Sequence, residues 1–562
     1  MPSLLLRLPL FQFQEVSFGC SSDGAARRIL GFHYRQNIKQ KQSSVLSFPH
    51  STSIYPSYSI SRSSSSCCSA TLSVVADEVK RTFGTSEASS LVEELRQSFR
   101  SGRTKSYEWR ISQLKSILRM VEEKEKDIYE ALYKDLAKPE IDAFLSEIAM
   151  TKSSCKLAIE QLSTWMKPEE VKASFATYPS SAKIVPEPLG VVLVISTWNF
   201  PFLLSIDPVI GAISAGNAVV LKPSEIAPAT SSLLLNLIEQ YLDRSAVRVV
   251  EGAVPETTAL LEQQWDKIFY TGSAMVGRIV MTAAAKHLTP VVLELGGKCP
   301  AIVDSNTNLE VTVRRIIAGK WQCNNAQACI GVDYLITTKD FAPKLIEALK
   351  ARVEEFFGKD PMESKDMSRI VSLHHFNRLV RILDEDKVSK KIVHGGRRDQ
   401  NRLKIAPTIV LDPPRDSSIM QEEIFGPLLP VVTVESINDS FAEINSRPKP
   451  LAAYLFTNDE KLKSDFIENV SSGGMLINDT VLHVSIDTLP FGGVGESGMG
   501  SYHGKYSFEA FSHKKSVLIR SFSGDATVRY PPYTPRKTKL LKALVNGNIF
   551  EIILALLWWS KD

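Results

Sequence analysis

From Ser89 to Trp165 apolar residues recur three and four positions apart with Glu and Lys between them, as in "SSLVEELRQSF", "RISQLKSILRMVEEKEKDIYEALYKDL" and "AFLSEIAMTKSSCKLAIEQLSTWM". That spacing follows the α-helical turn and predicts amphipathic helices, each packed on a core along one stripe. The next stretch, "KPEEVKASFATYPSSAKIVPEPLG", has strand-like pieces broken by prolines. Proline cannot donate to a ladder, so this stretch predicts an arm or bridge and not a core sheet. After Gly190 short, wholly apolar runs alternate with helical ones. "VVLVIS", "NAVVLK", "VRVVEG", "KIFYTG" and "PVVLELGG" predict five strands, with helices such as "FPFLLSIDPVIGAISAG", "EIAPATSSLLLNLIEQYL" and "AMVGRIVMTAAAKH" between them. Strand alternating with helix predicts an α/β, Rossmann-like, doubly wound parallel sheet, a common nucleotide-binding architecture. Beyond Lys298 a second alternation, from "PAIVD" through "VDYLITT" and "PLLPVVTVE" to "LAAYLFT", predicts a second α/β domain. "LPFGGVGESGMGSYHGK" reads as an irregular loop that turns sharply or approaches something closely.

Composition changes this picture at the two ends. The formal charge of +4 conceals a basic first segment: residues 1–76 hold seven Lys or Arg against Glu15 and Asp23, leaving the remainder at −1. A near-neutral body gives no reason to invoke nucleic acid. The first segment is serine-rich and acid-poor, ending in "SYSISRSSSSCCSATLSVVA", and reads as a cleavable transit peptide for a plastid, with a mitochondrial address or a plain disordered tail as alternatives. No apolar run is long enough to span a bilayer. The tail "IFEIILALLWWSKD" sets two tryptophans beside an apolar helix of about three turns, which fits peripheral membrane contact or a docked helix. Seven cysteines at 20, 67, 68, 155, 299, 323 and 329 give neither a disulfide framework nor the ligand spacing of a zinc site, so no metal is expected.

Several residues invite chemical readings beside plainer ones. Cys329, in "NNAQACIGVDY", is either a small buried hydrophobe or a nucleophile activated by groups distant in the chain. Glu294 of "ELGGK" ends a buried strand, where a carboxylate is costly unless paired or used. Asn199 of "TWNFP" also follows a parallel strand, and its amide suits either a turn or a developing oxyanion. Lys222 and Glu225 of "LKPSE" sit where an acid meets a ribose, or form a solvated helix start. Gly272, Ser273 and Gly277 of "YTGSAMVG" suit a phosphate at a helix N-terminus or a turn made of glycine for geometry alone.

In order, "TWNFP", "NAVVLKPSE", "FYTGSAMVG", "VLELGGK", "NNAQACIG", "EEIFGPLLPV" and "LPFGGVGESGMGSYHGK" resemble the aldehyde dehydrogenase superfamily, and "RYPPYTP" its class 3 branch, in particular plant plastid members. The resemblance covers about residues 85 to 535. It implies that Cys329 is the nucleophile and Glu294 the base. Asn199, with the backbone N–H of Cys329, then forms the oxyanion hole. Lys222 and Glu225 hold the adenosine ribose, Gly272, Ser273 and Gly277 lie near the pyrophosphate, and Glu423 and Phe425 of "EEIFG" lie at the nicotinamide ribose and ring. The implied cofactor is NAD, with NADP possible, and the implied partners are a small aldehyde and a second copy in a homodimer. The implied layout is a transit peptide at 1–76, a NAD-binding domain from 77–166 and 189–293, a small β oligomerisation bridge from 167–188 and 508–532, a catalytic domain at 294–507 and a C-terminal tail at 533–562.

One position departs from the pattern. The family usually has glycine before the glutamine of the cysteine loop, whereas this chain has Ala326. If φ is positive there, a Cβ costs about 1 kcal/mol or more. Two readings therefore stand: an NAD(P)-dependent oxidation of medium or long-chain aliphatic aldehydes of the lipid-peroxidation type, and a catalytically weak or silent nucleotide-binding protein of the same fold.

Overall fold

The computed structural model describes residues 83–172, 177, 180–523, 525–547 and 549–559. The reading of residues 1–76 as a transit peptide lies outside them. Strands β1 (Glu169–Val171) and β2 (Ser180–Pro188) come first in the chain. They are followed by β3 (Val191–Ile195), β4 (Ala218–Lys222), β5 (Val247–Val249), β6 (Lys267–Thr271) and β7 (Val291–Glu294). Next are β8 (Pro300–Val303), β9 (Tyr334–Thr338), β10 (Ile392–His394), a short hairpin of β11 (Arg398–Asp399) and β12 (Lys404–Ile405), β13 (Thr408–Leu411) and β14 (Leu428–Val434). β15 (Ala452–Phe456), β16 (Gly474–Ile477), β17 (Gly498–Met499) and β18 (Ser512–Arg520) complete the set.

β7, β6, β3, β4 and β5 lie side by side and parallel, which is the doubly wound sheet the alternation predicts. Buried on both faces, β3 reads as an unbroken apolar run and β4 as one as far as Lys222, with every position buried. The helix Leu203–Ala215 is likewise buried at every residue, and Gly216, at φ 90, ends it in the left-handed conformation open to glycine. The sheet holds one more strand than the five expected: β17, from the glycine-rich loop, adds antiparallel to β7. Gly498 sits at φ 139 with space for no side chain, since a Cβ would lie 2.1 Å from the carbonyl of Leu293. Glycine chemistry here serves close backbone pairing.

The second sheet runs β10, β13, β14, β9, β8, β15, β16 and is parallel except at β10. β10, β13 and β16 are only three or four residues long, too short to show an alternation, so the pattern did not mark them. A helix at Val254–Leu261 was missed for the same reason, being eight residues long and opened by a proline at its first turn. The run read as one helix from Arg110 to Leu136 breaks at Lys124 into Tyr107–Glu123 and Glu125–Leu136. One apolar core extends from the N-terminal helices through both faces of the first sheet to the inner face of the second, and a smaller one fills the second sheet's other face. β1, β2 and β18 form a third, antiparallel sheet whose outer strand keeps an unpaired edge. At the C-terminus Pro535–Asn546 and Ile549–Trp559 are helices in mutual contact, clustered through Leu540, Leu544 and Ile552.

Candidate active site

Four neighbouring parallel strands deliver the residues singled out in the sequence to one end of the first sheet, the carboxyl end where open α/β sheets hold ligands. β3 leads to Trp198 and Asn199, β4 ends at Lys222, β6 leads to Gly272 and Ser273, and β7 ends at Glu294. Lys222 donates to Glu225 at 2.7 Å, and its ammonium is buried while the Glu225 carboxylate keeps a solvent-facing side. Ser273 caps the helix Ala274–Ala285 by accepting from the N–H of Val276 at 3.4 Å. Gly277, one turn in, leaves room for Leu295, since a Cβ there would lie 2.9 Å from it. The helix start is thereby drawn close to the "ELGGK" turn.

The "EEIFG" segment is brought against the same turn. The N–H of Gly297 donates to Glu423 Oε1 at 3.0 Å, and a Cβ on Gly296 would lie 2.3 Å from the Glu423 carboxylate. Asp333 accepts from the N–H of Ile424 at 2.9 Å and is paired with Lys298, whose ammonium also donates to the carbonyls of Ile419 and Glu422. Phe425, at φ 49, meets Trp198 edge-on with ring centroids 5.3 Å apart. This contact joins the segment to the residue preceding Asn199.

Cys329 arrives on a different kind of backbone. Asn324, Asn325 and Ala326 are all left-handed, at φ 45, 50 and 61, so the condition that makes alanine costly at position 326 is met. Side-chain amides brace the turn. Asn324 Nδ2 donates to the Asn199 carbonyl at 2.7 Å, Asn325 Nδ2 to that of Ser368 at 3.0 Å, and Gln327 both donates to the Arg369 carbonyl and accepts from the N–H of Val371. The sulfur of Cys299 lies beneath the loop and donates to the carbonyl of Cys329 at 3.3 Å.

The electrostatics of the cluster come from dryness. Burial pushes the Glu294 carboxyl up to about 7, and the adjacent Cys329 thiol, outside the geometry of an ordinary hydrogen bond, is the neighbour that resists the rise. Both Glu294 oxygens are buried without a hydrogen-bond partner. Burial, then the charge of Glu294, pushes the Cys329 thiol well above its ordinary value. Glu423 is raised to about 8, by burial first and Asp333 second.

Cys329 opens into a cavity of about 840 Å³ whose wall is mostly apolar, including Phe200, Leu203, Leu204, Ile330, Phe491 and Tyr502. Exposed Ile141, Leu145 and Leu482 continue the apolar surface at its lining. The Cys329 sulfur thus meets a neighbouring unpartnered carboxylate beside an apolar chamber, and the backbone carbonyl of buried Asn199 is tied to the loop that carries it.

The model of the aldehyde dehydrogenase family matches residues 61–517. The chain belongs to the aldehyde dehydrogenase family. Its reaction is the oxidation of an aldehyde group, and its close relatives are family 3 members. It is 67% identical over 495 residues to aldehyde dehydrogenase family 3 member I1, chloroplastic, of Arabidopsis thaliana, covering 88% of this chain and 90% of that one. It is 46% identical over 449 residues to the mouse (Mus musculus) aldehyde dehydrogenase, dimeric NADP-preferring, covering 80% of this chain and 98% of that one. Among solved structures, the substrate-bound state of Staphylococcus aureus AldH superposes with a TM-score of 0.79 at 41% identity, over 81% of this chain and 99% of that one.

Sequence reading missed the groups behind this dehydrogenase site. Lys298 and Asp333 were passed over as ordinary charges, and Lys138, Asp142 and Glu147 lay inside a helical pattern that gave them no distinction. The one available signal was "LAKPE", a lysine before a proline at a predicted helix end, since that pair interrupts a helix and turns side chains off its regular face.

Proposed function

We propose that this aldehyde dehydrogenase converts medium or long-chain aliphatic aldehydes of the lipid-peroxidation type into carboxylic acids through a thiohemiacetal and a thioester on Cys329, with NAD⁺ or NADP⁺ as oxidant. The observation that carries the reading is the opening of Cys329 into a large, mostly apolar cavity with Glu294 beside it. The Cys329 thiol gives its proton to the neighbouring Glu294 carboxylate, which passes it on to solvent, as the sulfur attacks the aldehyde carbon, and the Asn199 amide with the Cys329 N–H holds the oxygen as it gains charge. The dinucleotide, when bound, supplies the hydride acceptor that makes the thioester accessible. Glu294 then takes a proton from water, which attacks the thioester and releases the acid. A carboxyl near 7 suits that task, being ionised enough to act yet basic enough to accept.

The donor set fits a dinucleotide. Glu225 offers a half-open carboxylate to a ribose diol beside Lys222, the Ser273-capped helix offers N–H groups to phosphate, and Gly272 lets backbone approach where a Cβ would strike the Tyr270 hydroxyl at 2.3 Å. Glu423 and Phe425 are the groups for the second ribose and the nicotinamide ring. Glu225 disfavours a 2′-phosphate, whereas the mouse relative's name records an NADP preference. Both cofactors are therefore included.

Homodimerisation through the β1–β2–β18 sheet is supported by the nine-residue open edge of β18, with exposed Leu518 and Ile519, and by a relative named as dimeric. A plastid location is supported by the relative named as chloroplastic. Peripheral contact with a bilayer surface is supported by the exposed Ile549, Phe550, Ile553 and Leu557 beside the basic helix Pro535–Asn546. Among the described residues no helix is long and apolar enough to cross a membrane.

The test is absorbance of reduced nicotinamide with the purified protein, either cofactor and aldehydes of increasing length, beside Cys329→Ala. A signal that grows with chain length and vanishes in the variant supports the proposal. A folded protein that binds cofactor but gives no signal supports instead the silent reading, which the left-handed Ala326 favours.

A further inference from the structure

Behind Asn199 lies an ion pair fully withdrawn from water. Ala137, at φ 49, ends the helix Glu125–Leu136 and turns Lys138 inward. Its ammonium donates to Glu147 Oε1 at 2.5 Å and to the backbone carbonyl of Asn199 at 3.3 Å, and stands 4.2 Å from the centre of the Phe200 ring. Both side chains of the pair are 0% exposed. The other carboxylate oxygen of Glu147 accepts from the N–H groups of Phe202 and Leu203 at 2.8 and 3.2 Å, where the helix Leu203–Ala215 begins. Glu147 itself lies on a π-helical turn, Phe144–Ile148, an irregularity that resets which side chains face inward.

The same Asn199 carbonyl is held from the other side by Asn324 Nδ2 at 2.7 Å, and the N–H of Asn324 donates to Asp142 Oδ2 at 3.1 Å. The peptide after Asn199 is thus gripped between a helix break and the loop that carries Cys329. Stability is a poor reason for such a pair, because apolar side chains of the same volume usually hold a core as well or better than a desolvated ion pair. A charge whose second hydrogen bond goes to the backbone of the oxyanion donor has a better reason in geometry.

We infer that Lys138, balanced by Glu147, is a positioning residue for aldehyde oxidation: it fixes the Asn199–Phe200 peptide so that the Asn199 amide meets the developing oxyanion, and the shared carbonyl keeps that amide in register with Cys329. The inference rests on Asn199 being the oxyanion donor and Cys329 the nucleophile. Lys138 touches no reacting atom. Its effect passes through Asn199, and that makes the claim separable from a general loosening of the fold.

The test is a cycle in the full chain. Lys138→Met with Glu147→Gln, which removes both charges at similar volume, is compared with the parent in the presence of Asn199 and again in Asn199→Ala. Two activities are read: aldehyde oxidation, and hydrolysis of a nitrophenyl ester without dinucleotide, which needs the oxyanion donors but no hydride transfer. The expected result is a fall in kcat of about 10- to 100-fold in both, KM nearly unchanged, and no further fall when Asn199 is already alanine. An unchanged kcat, or an equal additional fall in Asn199→Ala, overturns the inference while leaving the role of Asn199 intact. If Asn199→Ala alone keeps full kcat in both assays, the oxyanion reading fails and this one with it. Should the double variant melt below the assay temperature, Glu147→Gln alone, which keeps an acceptor for Phe202 and Leu203 and leaves Lys138 without its counter-charge, is put through the same cycle with the same expectations.

Discussion

The two walls of the site are built on opposite terms. Asn199, Lys222, Gly272 and Glu294 follow from the ends of four parallel strands whose ladders fix their register, whereas Cys329 follows three consecutive left-handed residues. On the strand side position comes from regular backbone at Lys222, Gly272 and Glu294, while Asn199, past the end of β3, is also held through its carbonyl by Lys138 and Asn324. On the cysteine side the backbone is held away from its own preference, and amide side chains must restrain it. Asparagine tolerates the left-handed region, so Asn324 and Asn325 cost little, and the strain gathers at Ala326. Cys329 therefore sits on the adjustable wall of the two.

The strongest way to break the strand-side wall is Glu294→Gln. Turnover should fall by about 10²- to 10⁴-fold, and the decline of wild-type turnover as pH drops below about 7, where the base becomes protonated, should disappear from the profile. Stability moves oppositely. The folded carboxyl titrates above its unfolded value of 4.5, so its ionised form destabilises, with the penalty growing as pH rises through the window up to about 7 and complete above it. Denaturant unfolding at pH 8 should find Glu294→Gln the more stable by roughly 3 kcal/mol, and the gap should close below pH 4.5. A gap that persists in acid would show that burial of the charge is not its origin.

Gly498→Ala attacks the same wall through the backbone. With no space for the Cβ, β17 should leave β7, at a cost of about 3 kcal/mol, and the activity profile should shift to lower pH as Glu294 gains water. A variant with unchanged stability and profile would mean that β17 does not shield the base. Ala326→Gly sharpens the cysteine side: stability should rise by about 1 kcal/mol, read by urea unfolding, with kcat at or above the parent. No gain in stability would place the strain elsewhere in the loop. Smallest is Glu225→Gln, which removes a half-exposed charge; fluorescence titration should find NADP⁺ bound about three- to tenfold more tightly relative to NAD⁺. An unchanged ratio would remove Glu225 from cofactor choice.

The strand side was legible because its signal is periodic. Five apolar runs, each closed by a polar residue, announce a sheet and the residues at its end, and Glu294 and Asn199 stand out as polar groups where burial is expected. β17 was not legible, since two residues of a glycine loop carry no period and pair only because Leu293 and Glu294 present an open edge. The conformation of Ala326 was legible only as a condition, decided by tertiary bonds from Ser368, Arg369 and Val371 that no local window contains. Lys138 and Glu147 were invisible for a related reason: in a sequence of helices rich in Lys and Glu, a buried pair and a solvated one look alike, and only the left-handed turn at Ala137 separates them.

The pairing of Gly498 with Glu294 also sets an order of assembly. β7 is synthesised roughly two hundred residues before the strand that covers its edge, and such distant contacts close late in folding. A growing chain therefore carries Glu294 as an ordinary wetted carboxylate, beside a cysteine whose loop lacks its later braces. Until Gly498 and Met499 have emerged, the edge of β7 that holds Glu294 has no partner strand, so the drying of that carboxylate belongs to the final stage of assembly.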